Sequence, residues 1–170
     1  MSRLFFALWP DDATRTQIKS VVATFPEGTG RKVIPANFHI TLEFLGEVSD
    51  QDRDALINCV SKIHCNSFDL ELTQTGLWRK PQILWLGTNY SPPPLLDLVE
   101  SIRQCVRLQD LIPDNREYKP HVTVARKARK KIQITEPFII SWHVDRFVLA
   151  ESTTHATGVE YQVINSWPLN

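Results

Sequence analysis

Two short segments of this chain alternate in the same way, and they constrain its fold more than anything else in it. In Asn37–Leu45 the apolar Phe38, Ile40, Leu42 and Phe44 interleave with His39, Thr41 and Glu43. In Pro120–Ala125, Val122 and Val124 interleave with His121 and Thr123. Period-two alternation reads as a strand with one face on a core and the other turned away from it. Each strand therefore carries a His-x-Thr on its polar face. The two lie nearly half the chain apart, which predicts a duplicated plan within a single domain spanning 1–170: two lobes, each presenting one histidine strand, with a boundary near 85–95. A third match, His155-Ala156-Thr157, has no alternating apolar partners and runs into Gly158, so it reads as a loop near a turn.

The remaining pattern mixes helices and strands. Arg3–Trp9 is a β-rich run ended by Pro10, and Asp11 or Asp12 caps a helix reaching about Phe25. Ser49 or Asp50 caps a second helix, and the prolines 92–94 open a third that ends near Leu108. Strands are expected near Phe68–Thr75, Gln82–Gly87, Ser141–Ala150 and Val159–Ile164. Helices set between antiparallel-looking strand groups make the class α+β.

Composition narrows the function classes. With 170 residues and 42% hydrophobic content, one domain can bury its own core without a staple. Nineteen basic residues balance nineteen acidic ones. A protein that coats nucleic acid advertises itself by net charge, so this balance argues for at most a focused anion site. Cys59, Cys65 and Cys105 form no Cys-x-x-Cys pair, which predicts reduced thiols in a cytoplasmic protein. No apolar stretch approaches the roughly 20 residues a membrane helix needs.

If the two strands face one cleft, two imidazoles and two hydroxyls converge. One imidazole then accepts a proton from water while the other donates to a leaving oxygen. Hydroxyls and imidazole N–H groups suit non-bridging phosphate oxygens. A metal is the weaker reading, because zinc wants three or four N, S or O ligands and threonine is a poor one. Glu43 shares the face of His39 under strict alternation, where it either tunes His39 or faces solvent, the second being favoured. No Gly-x-Ser-x-Gly is present, and no cysteine lies near either histidine.

The tandem motifs with their flanks resemble the 2H phosphoesterase superfamily, and within it the branch of bacterial RNA 2′,3′-cyclic phosphodiesterases, also called the LigT or 2′-5′ RNA ligase group. The residues that carry this are Arg3-Leu4-Phe5-Phe6-Ala7, Asn37–Gly46, Trp85-Leu86-Gly87 and Pro120–Arg126. The resemblance implies a bilobal α+β fold, two pseudo-symmetric lobes each with an antiparallel sheet facing a central cleft and helices outside. It implies cofactor-free, metal-independent opening of a 2′,3′-cyclic phosphate at an RNA end to a 2′-phosphomonoester. His39 would be the proton donor and His121 the proton acceptor. Thr41, Thr123 and Arg126 would hold the phosphate. Arg126, five residues after His121, serves the site only if the strand bulges there.

Phe5 and Trp78 are candidates to stack on a terminal base. The basic run Arg126–Lys131 either guides an RNA backbone or forms a solvated loop. The partner implied is an RNA end, with no membrane and no obligate protein partner, the chain acting as a monomer. Two other readings compete: 2′-5′ joining of RNA ends in the same site, and a non-catalytic RNA-binding module.

Overall fold

The computed structural model describes residues 1–130, 132, 136–155 and 158–170. In chain order these form β1 (Ser2–Leu8), α1 (Asp12–Ala23), β2 (Arg31–Lys32), a 3-10 turn (Pro35–Asn37), β3 (Ile40–Val48) and α2 (Asp50–Val60). Then come β4 (Phe68–Leu72), β5 (Gln74–Trp78), β6 (Ile83–Gly87), α3 (Pro93–Leu108), β7 (His121–Arg126), β8 (Ile140–Val144), β9 (Arg146–His155) and β10 (Gly158–Pro168). The caps act as the sequence predicts. Asp11 accepts from the Thr14 amide at 2.7 Å, and Ser49 Oγ accepts from the Asp52 amide at 3.1 Å.

Four local expectations change. The strand expected near Ser141–Ala150 divides at Asp145 into β8, which pairs with β4, and β9, which joins the large sheet beside β1. The single strand expected over Phe68–Thr75 divides at Thr73 into β4, which pairs with β8, and β5, which pairs with β6. His155 closes β9 instead of sitting in a loop, its Nε2 3.2 Å from the Glu160 carboxylate on β10. The thiols expected to be free are not all free. Cys59 on α2 and Cys105 on α3 form a disulfide with their Cα atoms 5.7 Å apart, and Cys65 is the remaining thiol. Packing α2 beside α3 brings those positions into disulfide range, a proximity that cysteine spacing along the chain does not reveal.

The strands of the large sheet run in the order β10-β9-β1-β3-β7-β6-β5, with β2 against β7, and β4 and β8 form a separate ribbon. Every pairing is antiparallel. The large sheet has two halves, β10-β9-β1-β3 and β7-β6-β5 with β2, joined through the pair Ile40–Val122. These halves are not successive stretches of chain. The His39 half contains both chain ends, and β2, β5 and β6 cross into the His121 half, so a cut at 85–95 separates no lobe from the other.

One face of the sheet is apolar. Leu4, Phe6, Leu8, Ile40, Leu42, Leu84, Leu86, Val122 and Val124 are buried in one core with Ile18 and Val22 of α1 and Leu95, Leu98 and Ile102 of α3. Burying that face against the helices leaves the opposite face, with both histidines, to the cleft. Among the described residues no helix is long and apolar enough to cross a membrane.

Candidate active site

The join between the half-sheets is also the centre of the site. Ile40 and Val122 are the middle residues of the two His-x-Thr triplets and pair directly, with both side chains in the core. An antiparallel pair centred there sets His39 across from Thr123 and Thr41 across from His121, on the opposite face.

Each imidazole is anchored in the same way. His39 Nδ1 donates to the Asn37 carbonyl at 2.8 Å, and His121 Nδ1 donates to the Lys119 carbonyl at 2.6 Å. A carbonyl can only accept, so Nδ1 carries the proton and each Nε2 is left for chemistry. The Thr41 hydroxyl donates to His39 Nε2 at 3.2 Å. Asn37 is itself fixed, its side-chain amide donating to the Val159 carbonyl of β10 at 2.8 Å.

Aromatic rings hold both imidazoles. Trp9 stacks on His39 with centroids 5.5 Å apart and planes 9° from parallel. Phe5 and Tyr161 close on the same ring at 4.9 and 5.0 Å. Phe5, expected to stack on a base, borders the cleft but is only 3% exposed, its ring set against His39. Trp78 does line the cleft and sets its ring edge-on to His121 at 4.4 Å. Behind it Trp85 lies across Gly76, where a Cβ would stand 1.9 Å from the indole, so only glycine admits that ring.

This packing sets the charge state. Burial pushes His39 from its ordinary 6.5 to about 4, assisted by the positive charges of His121 and Arg126 and opposed by the Asn37 hydrogen bond. Burial also lowers His121, with Arg116 adding to the effect and the Lys119 hydrogen bond opposing it. Both rings are neutral at pH 7.

Past each motif threonine the strand bulges. On β3 the register with β1 slips at Leu42, and on β7 the register with β6 slips at Val124. The extra residue reverses the faces of the residues beyond it. Arg126 therefore pairs with Ile83 and reaches the cleft, meeting the condition its position in the sequence imposed.

The bulge on β3 corrects Glu43. It pairs with the core residue Phe6 and is 2% exposed, where alternation placed it in solvent. Its carboxylate accepts from Arg103 Nε at 2.9 Å and from the Asp114 amide at 2.6 Å. Phe44, which alternation placed in the core, pairs with Phe5 and stands 42% exposed in the cleft under the Arg3 guanidinium.

The cleft has a volume of about 880 Å³ and is lined by His39, Thr41, Trp78, His121, Thr123 and Arg126 among others. Sequence reasoning did not single out Trp9 and Tyr161. Trp9 had a signal, since Phe5, Ala7 and Trp9 share one face of a strand. Tyr161 had none, because β10 reaches His39 only through the fold. Of the basic run, Lys131 lies outside the described residues, and Arg129 and Lys130 line a separate depression with Arg79.

A family model described as LigT like Phosphoesterase matches residues 8–85, a segment that holds the first motif. The chain is 34% identical to the RNA 2′,3′-cyclic phosphodiesterase of Escherichia coli (strain K12) over 98% of its own length and 96% of that protein's. The RNA 2′,3′-cyclic phosphodiesterase of Archaeoglobus fulgidus is 28% identical over 79% of this chain and 77% of its own. The crystal structure of E. coli LigT in apo form superposes with a TM-score of 0.91 at 33% identity, covering 99% of this chain and 98% of that one.

Proposed function

The chain belongs to the LigT-like phosphoesterases, and on that footing we propose that it hydrolyses RNA 2′,3′-cyclic phosphate ends to 2′-phosphomonoesters by general acid–base catalysis. The observation that carries this reading is the pair of imidazoles anchored through Nδ1 on adjacent strands, each with Nε2 free of the backbone and that of His39 beside the Thr41 hydroxyl. His121 Nε2 takes a proton from water, whose oxygen attacks phosphorus. The P–O3′ bond breaks, and His39 gives its Nε2 proton to the departing O3′. Thr41, Thr123 and Arg126 hold the non-bridging oxygens, Arg126 through a planar guanidinium suited to phosphate. Each proton has an imidazole to carry it, and the anionic charge has hydroxyls and a guanidinium. Turnover is therefore expected to survive EDTA. The deciding test is product analysis on a short RNA with a 2′,3′-cyclic end, in EDTA. A 2′-phosphate product supports the reading, and a 3′-phosphate overturns the assignment of donor and acceptor.

The acid needs a second proton, which burial withholds in the free protein. The substrate's negative phosphate supplies the counter-charge that favours an imidazolium. A pH dependence results. Turnover from free enzyme requires one charged and one neutral ring, and both rings titrate below the ordinary 6.5. That singly protonated population shrinks about tenfold per pH unit above the higher of the two pKa values. Hence kcat/KM should peak below 6.5, and kcat, which reports the substrate complex, at higher pH. A kcat/KM optimum well above 6.5 would contradict this electrostatic account.

The finer attributes belong to the same reading: an RNA end as partner, action as a monomer, and a cytoplasmic setting. In that compartment thiols are kept reduced, and Cys59 and Cys105 would then face each other as thiols between α2 and α3.

A further inference from the structure

The short strand β2 lies against the outer end of β7, with Arg31 opposite Arg126 and Lys32 opposite Ala125. Residues directly opposite in an antiparallel pair project to the same face. Ala125 is in the core, while Lys32 beside it is exposed at the rim of the cleft, its Nζ donating to the Val22 carbonyl at 3.3 Å. Arg31 and Arg126 therefore share the cleft face, and both line the cleft. Gly30 permits the approach: its φ is +119°, and a Cβ there would stand 2.7 Å from the Arg126 carbonyl oxygen.

Two guanidiniums set opposite each other repel unless an anion lies between or beside them. The carboxylates of the cleft wall are engaged elsewhere. Glu43 is bound by Arg103, Asp114 by Arg116 and Glu117 by Lys119. Among the described residues neither Arg31 nor Arg126 has an acidic partner within ion-pair distance. One phosphate at the histidines accounts for Arg126 and leaves the Arg31 guanidinium opposite it without a counter-charge. Moving outward along β7 from His121 and Thr123, the cleft floor reaches Arg126 and then, on the flanking strand, Arg31.

We propose that Arg31, beside Arg126, forms a second anion subsite that binds the phosphate on the 5′ side of the terminal nucleoside. The proposal rests on the RNA-end reading above and deepens it. The protein is then built for nucleotides within a chain, and a nucleoside carrying the cyclic phosphate alone leaves Arg31 unused.

The test compares a nucleoside 2′,3′-cyclic phosphate with the same nucleoside also carrying a 5′-phosphate, and with a dinucleotide ending in the cyclic phosphate. The natural protein should show the lower KM on the latter two. Arg31→Ala should raise KM on those two by about tenfold to a hundredfold, the range for hydrogen bonds to a charged group. KM on the bare nucleoside substrate and kcat on all three should stay level, and Arg31→Lys should recover part of the loss. An equal rise in KM on all three substrates would place Arg31 on the reacting phosphate and overturn the second subsite. No change on any of them would remove Arg31 from the site. Failure of the natural protein to open any of the three would instead overturn the RNA-end reading, and the subsite with it.

Discussion

His39→Ala and His121→Ala are each expected to slow opening of an RNA 2′,3′-cyclic phosphate by about 10²–10⁴-fold, the range for a lost general acid or base. The fall should appear in kcat, because an imidazole in transit of a proton acts in the transition state more than in binding. The double variant should be hardly slower than either single one, since the two rings act as a unit. His39 also fills a space among Phe5, Trp9 and Tyr161, so alanine there disturbs packing as well as chemistry. His39→Gln retains more volume and has no titrating nitrogen, which separates the two effects. Circular dichroism and a thermal melt on each variant establish that the fold persists. Turnover unchanged in either alanine variant would sink the two-histidine scheme.

The second large effect is one of stability. Glu43→Ala removes a carboxylate that is 2% exposed and leaves both the Arg103 guanidinium and the Asp114 amide without their acceptor. Breaking a buried pair by deleting one member costs about 3–5 kcal/mol, chiefly because the surviving charge is stranded. The expected result is a large drop in the urea midpoint with little change in slope. Glu43→Gln should lose less, since its amide oxygen can still accept one bond. Activity should suffer beyond stability. Asp114 lies in the loop between α3 and β7, which also carries Arg116 and Lys119, whose carbonyl orients His121. A Glu43→Ala protein as stable as the natural one would show that the pair is not what ties this loop to β3.

Much of the fold was legible because its signals are local. Asp11 and Ser49 cap helices through bonds that span three residues, and alternation in two strands exposed His39, Thr41, His121 and Thr123 together. The misplacements within the motif strands share one cause. Alternation assumes an unbroken ladder, and a bulge after each threonine inserts one residue and turns the rest of the strand over. Glu43 and Phe44 were exchanged between core and cleft by the bulge at Leu42, while Arg126 was delivered to the cleft by the bulge at Val124. A bulge is a property of two paired strands, so one strand's residues do not announce it.

The three helices, the motif strands, the α+β class and the four residues of the tandem motif are written in the chain alone, since caps and periodicity act over a few residues. Folding added the pairing of the two motifs with each other at Ile40 and Val122, and the use of both chain ends to build the His39 half of the sheet. It also added the aromatic surroundings that keep both imidazoles neutral, and the approach of β2 that sets Arg31 opposite Arg126. These depend on residues far apart in the chain, whose meeting is governed by strand order and helix packing, and no window of sequence contains them.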